Sequence, residues 1–372
     1  IKSWRFPESR FSTEKITVRQ LLSHTAGLPL GDIFNLYFPE RDQEIPSLQE
    51  CLSAEARPVQ EPGSTFFYSN TGYNLLELLI EEVTGRDFAE YMQSDILGPL
   101  GMHNSTFVWS AELDPPVPFG YDLAGEAIPV YVYPEKGSGG LFATVEDIAV
   151  FVAAGMPGFS GVNAVLSDRS INALYTPVAD RLGVYSLVFD SYGLGHYLEI
   201  LPNDKLAVSH GGQGTGWMTH FHSVPETGEG IVILTNSQRS WPAIAQILTA
   251  WARWSGFSSV GMGRIVWGSN LLWVLVGLPW ASWLWLAWGL AAGVLKKARR
   301  FLPLAAESQL RRLAQGGVSA ALLAGLYWCS QQDYLLISSL FPLVSDWLQI
   351  SVLIFSVVLL LTALCPAQAS AS

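Results

Sequence analysis

The chain has 372 residues, enough for two domains, with 21 Lys/Arg against 32 Asp/Glu and a net charge of -11. Residues 256–372 hold seven of those cations and three of the acids, leaving 14 and 29 in residues 1–255, so the front half is strongly acidic and the back half basic. Acidity of the front half argues against a nucleic-acid partner, and Cys51, Cys329 and Cys365 form neither a C-x-x-C nor a pairing pattern that would indicate a zinc site or a disulfide framework.

The chain starts at Ile1 in a polar stretch without Met or a signal peptide, and further sequence is expected upstream. Thr17-Val18-Arg19-Gln20 reads as a capping box that opens a short helix near Val18, with Gly27 as its candidate end. Leu75, Leu76, Leu78, Leu79, Ile80 and Val83 mark a largely buried helix over residues 74–83, stopped by Gly85. A further amphipathic helix is expected over residues 145–154. Then the period changes. Residues 206–209, 215–224 and 230–236 read as strands, the last two joined by Pro225-Glu226-Thr227-Gly228, and a helix over 243–254 closes the unit. The fold class is therefore α/β of the α+β kind, an antiparallel sheet flanked by helices, over residues 1–255.

Residues 256–372 read as an all-α transmembrane bundle. Residues 265–295 contain no charge and include six tryptophans, and residues 313–332 and 347–365 are two more uncharged stretches. About 20 apolar residues suffice to cross a bilayer, so spans are expected near 267–293, 314–332 and 347–365, with the lipid bilayer as a partner. Lys296, Lys297, Arg299, Arg300, Arg311 and Arg312 all fall between the first two spans, which puts that loop in the cytoplasm and the acidic front half outside. The spans lack the paired buried charges of a transport path, and Asp333 and Asp346 read as loop or interface positions.

Three segments carry the chemistry: Ile16 to Leu28 (ITVRQLLSHTAGL), Glu61 to Tyr73 (EPGSTFFYSNTGY, running on to GPLGM at 98–102), and Ser209 to Trp217 (SHGGQGTGW). With the supporting stretches GGLFATVED at 139–147 and IVILTN at 231–236, this ordered set closely resembles the superfamily of class C β-lactamases, penicillin-binding D-alanyl-D-alanine carboxypeptidases and serine esterases. The resemblance covers about residues 1–255 and implies a β-lactamase/transpeptidase-like fold.

That family uses a Ser-x-x-Lys, a Tyr-x-Asn and a Lys-Thr-Gly or His-x-Gly strand. By resemblance Tyr68 belongs to the proton relay that activates the serine, while Asn70 offers an amide able to donate to a substrate carbonyl and accept from an amine. A phenol titrates near ~10, so it acts as a base only beside cations; His210 and the Ser-x-x-Lys lysine are the expected ones. Gly211 and Gly212 would let substrate lie along the strand edge, and the Gln213 N–H matches the family's oxyanion donor. His24 is expected to be structural, holding a helix end, and His220 and His222 share a strand face without a third ligand for a metal. No metal or organic cofactor is required.

Ser12-Thr13-Glu14-Lys15 has the nucleophile's spacing, but it precedes the helix cap at Thr17 and lacks an apolar stripe around it. The family places its nucleophile several tens of residues before the Ile16 segment, so the serine is expected upstream of Ile1, and there is no Gly-x-Ser-x-Gly elbow to replace it. The expected function is a membrane-anchored serine hydrolase acting through an acyl-enzyme on a D-alanyl (peptidoglycan) peptide, a β-lactam or a small ester, with residues 1–372 inactive alone. The alternative is a catalytically silent member that binds cell-wall peptide or a membrane partner. The loops over residues 32–46 and 114–134, rich in aromatics (Phe34, Tyr37, Phe38, Tyr121, Tyr131, Tyr133), are the expected pocket walls.

Overall fold

The computed structural model describes residues 1–14, 16–33, 35–156, 165–302, 309–331 and 336–366; Lys15, Phe34 and Asp333, named above, lie outside them, as does the acid Glu307. The chain divides into two compact units, Ile1–Arg264 and Ile265–Ser372.

Unit 1 opens with helices α1 (Val18–Leu22), α2 (Leu48–Glu55) and α3 (Asn70–Thr84). The Thr17 capping box is present in both directions: the Thr17 hydroxyl accepts from the Gln20 N–H, and the Gln20 side chain accepts from the Thr17 N–H. Gly27 does not end α1. The helix stops at Ser23, with His24 in the left-handed region (φ 53°), the His24 N–H donating to Leu21 O and the Thr25 N–H to Gln20 O. That is a Schellman cap built on a histidine where glycine is usual. Helix α3 begins four residues earlier than the apolar run suggested, because Ser69 caps it by accepting from the Gly72 N–H; Gly85, left-handed at φ 68°, ends it. Trp4, Leu21, Leu28, Leu52, Leu75 and Leu78 form the core beneath these helices.

Short helices α4 (Phe88–Met92) and α5 (Gly98–Leu100) follow, then a two-stranded ribbon of β1 (Gly120–Tyr121) and β2 (Ala127–Ile128). Next come α6 (Val145–Ala154), spanning the expected residues, and α7 (Asp168–Leu174). The main sheet is fully antiparallel in the order β3 (Ser191–Tyr192), β4 (Tyr197–Ile200), β5 (Leu206–Gly214), β6 (Trp217–Val224), β7 (Glu229–Thr235). Strand β5 is twice as long as the sequence suggested, since its glycines continue in register against β6. Helix α8 (Trp241–Trp254) then closes the unit.

Alternation along β6 assigns its two faces. His220 and His222 meet Trp241 and Trp251 of α8, while Phe221 meets Phe151 of α6, so helices cover both faces of the sheet. The fold is thus mixed helix and antiparallel sheet, as expected.

The described residues of unit 2 are helical: α9 (Gly263–Leu295, starting at the end of unit 1), α10 (Gln309–Ser330), α11 (Leu336–Leu340) and α12 (Pro342–Leu364). Among the described residues, α9 and α12 are long and apolar enough to cross a membrane; α10, over the expected second span, is less apolar.

Candidate active site

The segment that carries Tyr68 is laced to the loop after α1. The Phe67 N–H donates to His24 O (2.7 Å), the Ser69 N–H to His24 Nδ1 (3.1 Å), the Ser69 hydroxyl to Pro29 O (2.6 Å) and the Asn70 N–H to Leu30 O (2.9 Å). Ser69 is extended (φ -147°, ψ 112°) and buried, which turns Tyr68 and Asn70 toward the face opposite its own side chain. His24 therefore does hold a helix end, and it also fixes the approach to Tyr68, whose ring centroid lies 4.2 Å from the imidazole. Because Nδ1 accepts from Ser69, the His24 proton resides on Nε2, and burial keeps the ring neutral.

His210 comes from β5, across the sequence. Its ring lies 6.2 Å from that of Tyr68 and stacks on Tyr197 at 5.5 Å, with Tyr185 6.1 Å from Tyr68 on the neighbouring side. Tyr68, Asn70 and His210 are each half-buried. Strand β4 pairs with β5 only from Leu206 to Ser209, so from His210 to Gly214 the strand partner is β6 alone. The two rings thus meet where one side of β5 lacks a strand.

The charge states differ from expectation. Burial, then the neighbouring His196, pulls the His210 imidazole down to about 4 against a partial offset from a hydrogen bond with the Gly211 backbone, so it is neutral at pH 7. Burial, with Tyr185 and Tyr73 nearby, pushes the Tyr68 phenol above its ordinary value. His210 is therefore not the cation that would favour a Tyr68 phenolate.

The glycines also have a packing reason of their own. A Cβ on Gly211 would stand 2.8 Å from the Trp241 ring and 3.0 Å from His220 Nδ1, so Gly211 admits α8 onto the sheet. A Cβ on Gly212 would stand 2.5 Å from Thr219 Oγ1, the oxygen that accepts the Gly212 N–H at 3.0 Å. Gln213 is tied to α8 as well, its Oε1 accepting from Trp241 Nε1 at 3.2 Å. His220 and His222, with ring centroids 6.0 Å apart, lie under α8 with no hydrogen-bond partner for either ring, and among the described residues no three His, Cys, Asp or Glu group around a metal position.

Two contributors escaped the sequence reading. Tyr185, Tyr192 and Tyr197 bed the site on aromatic rings, and their spacing carries no motif. Glu77, a charge inside the apolar stretch of α3, is buried and accepts the Gly137 N–H at 2.6 Å, fastening the loop before the GGLFATVED stretch. Burial, reinforced by Glu81, pushes its carboxyl up to about 7, although the Gly137 N–H and Lys136 pull the other way. A lone acid between leucines was the signal. Of the expected pocket walls, Tyr131 and Tyr133 do gather, at 5.3 Å, and Trp217 joins them 5.5 Å from Tyr131 over the far end of β5.

Against known proteins, residues 4–251 match the family model described as Beta-lactamase. Penicillin-binding protein 4* of Bacillus subtilis (strain 168) is 28% identical over 263 residues, covering 64% of this chain and 55% of that protein. Among solved structures, the octameric penicillin-binding protein homologue from Pyrococcus abyssi aligns with a TM-score of 0.55 at 27% identity, over 68% of this chain and 58% of that one. The β-lactamase/D-alanine carboxypeptidase from Yersinia pestis complexed with citrate aligns at 0.50 and 25%, over 64% and 68%. The chain spans about half the length of the curated relatives it matches. With two thirds of its residues inside one family match and the motif segments joined at one end of the sheet, the chain belongs to the β-lactamase family.

Proposed function

We propose that unit 1 is the greater part of a membrane-tethered serine hydrolase that works through an acyl-enzyme on a D-alanyl peptide, a β-lactam or a small ester. The observation that carries this reading is the 6.2 Å approach of Tyr68 to His210 at the point where β5 has a strand on one side only. In this scheme a serine Oγ attacks the substrate carbonyl while its proton passes to the Tyr68 oxygen, and the oxyanion takes a hydrogen bond from the Gln213 N–H. The carbonyl then re-forms, the leaving group takes the proton, and water releases the acyl group by the same path reversed. Asn70 orients the substrate amide, and neutral His210 holds the phenol in place rather than charging it. The cation that favours the phenolate is the lysine of the nucleophile's own Ser-x-x-Lys.

The chain's single Ser-x-x-Lys is Ser12 to Lys15, and because Ser12-Thr13-Glu14 does not open a helix, the scheme takes its reacting serine from outside residues 1–372. The helices α9 and α12 anchor the unit, with the cationic loop after α9 in the cytoplasm and unit 1 outside. The test compares residues 1–372 with a longer chain that carries a Ser-x-x-Lys helix, each treated with a fluorescent β-lactam and a chromogenic ester. Labelling of the longer chain alone, abolished by Tyr68→Phe, is expected. Labelling of residues 1–372 at Ser12 refutes the assignment. Protease treatment of intact and permeabilised cells checks orientation: cleavage of unit 1 only after permeabilisation would reverse it.

A further inference from the structure

The six cations that follow α9, four before α10 and two (Arg311 and Arg312) in its first turn, do two different jobs. Helix α9 ends in a Schellman cap, the Lys297 N–H donating to Val294 O and the Ala298 N–H to Gly293 O, with Lys297 left-handed at φ 57°. The Leu302 N–H donates to Leu364 O, which brings the chain after α9 to the C-terminal end of α12. Two arginines close that end. Arg299 Nη1 donates to Cys365 O (3.1 Å), while Arg312 donates through Nε to Ala363 O and through Nη2 to Leu302 O (both 2.8 Å). They satisfy carbonyls that a helix end leaves without partners, and they oppose its negative dipole.

Lys296, Lys297, Arg300 and Arg311 remain. All four are exposed, and among the described residues no carboxylate pairs with them. The one acid among the described residues of unit 2, Asp346, lies near the other end of α12, which at 1.5 Å per residue is roughly 35 Å long. Four cations that no described carboxylate pairs thus sit on one end of helices whose flanks are apolar and unburied; Leu295, the residue before Lys296, is itself exposed.

We infer that this end is a recognition surface for anionic phospholipid headgroups, made by Lys296, Lys297, Arg300 and Arg311, with Arg299 and Arg312 reserved for the helix ends. The inference rests on the spanning role proposed above for α9 and α12. A headgroup phosphate is the anion that lies where an apolar helix leaves the hydrocarbon, and cations there are drawn to an anionic leaflet over about one Debye length. Side chains as long as Lys and Arg reach that layer from the last helical turn.

The tryptophans of α9 supply the readout. The full chain is reconstituted in vesicles of phosphatidylcholine and phosphatidylglycerol, and tryptophan quenching by brominated phosphatidylglycerol is compared with that by brominated phosphatidylcholine at equal mole fraction. A preference of about twofold or more for the anionic lipid is expected, falling toward one in K296Q/K297Q/R300Q/R311Q and at about 0.5 M salt. Quenching by the zwitterionic lipid should be the same in that variant, showing that it still inserts. Equal quenching by both lipids in the wild type, or a preference that survives the four substitutions, overturns the inference. Loss of the preference to millimolar inorganic phosphate also overturns it, since the site would then serve a soluble anion. Absence of quenching by either lipid removes the spanning reading along with it.

Discussion

Substituting His24 tests the link between the fold and the Tyr68 segment. His24 is 2% exposed, accepts the Ser69 N–H at 3.1 Å and holds a left-handed backbone at φ 53°. In His24→Ala the Ser69 N–H loses its acceptor in a buried place, which costs about 1–3 kcal/mol. The imidazole also leaves a space lined by Tyr68, Tyr73, Tyr192 and Phe66, and truncation of a buried side chain costs about 2–5 kcal/mol before relaxation. Alanine keeps a Cβ, so the left-handed strain of about 1–2 kcal/mol is not relieved. The total is about 3–8 kcal/mol, a fall in Tm on the order of 10–20 °C for a unit of this size. His24→Gly removes more atoms yet relieves the strain, so it should be at least as stable as His24→Ala. His24→Asn tolerates the left-handed region and retains an acceptor, so it should lose least. Urea and thermal unfolding of the full chain in detergent micelles, followed by near-ultraviolet circular dichroism of the tyrosine bed, gives the order. If His24→Ala lies within about 1 kcal/mol of wild type, or above His24→Gly, the account of this residue fails.

Three further substitutions address the buried polar groups and the sheet. His222 is fully buried with neither ring nitrogen bonded, and burial pulls it down to about 4. A depressed imidazole contributes stability above its unfolded value of about 6.5 that is lost as pH falls toward 4, so His222→Leu should remove about 1.4 kcal/mol per pH unit of acid sensitivity in that window, read from urea midpoints at pH 7, 6 and 5. Glu77 has the opposite sign: its carboxyl, raised to about 7, contributes stability below about 4.5 that is lost as pH rises through 7. Glu77→Gln retains an acceptor for the Gly137 N–H without the charge, so its advantage over wild type should grow from near zero at pH 4.5 to about 3 kcal/mol at pH 8, and a pH-independent difference would contradict this. Gly211→Ala should cost about 1–3 kcal/mol by pushing Trp241 off the sheet, and Trp241→Phe in the same chain should recover part of it in thermal melts.

Local patterns told most where local forces decide. The Thr17 capping box, the 145–154 helix and the Pro225–Gly228 turn are settled within a few residues of themselves, and each was legible. Ends set by distant partners were not. Gly27 was a sound candidate to stop α1, but the αL position went to His24, because an imidazole there can also accept from Ser69, 45 residues away, and a glycine cannot. Likewise the four residues added to the start of α3 depend on Ser69, which is held in turn by Pro29 O. Strand β5 ran past Ser209 because the register with β6, rather than β-propensity, sustains a run of glycines.

The site divides along the same line. That Tyr68 and His210 approach each other could be read from motif order alone, since a shared family scaffold fixes which segments converge. Their protonation could not, because it belongs to the surroundings. Sequence reasoning gave His210 the part of a cation beside a phenol; the ring bed of Tyr185, Tyr192 and Tyr197, invisible as a pattern, makes the place too apolar for an imidazolium. A phenol so enclosed stays protonated until a cation arrives, so in the proposed mechanism Tyr68 becomes a base only when the nucleophile's lysine is docked beside it. The pH profile of acylation in the longer chain should then follow the Tyr68–lysine pair and lack an inflection near 6.5, and replacing His210 with Asn or Gln should leave that profile's shape in place while lowering its height.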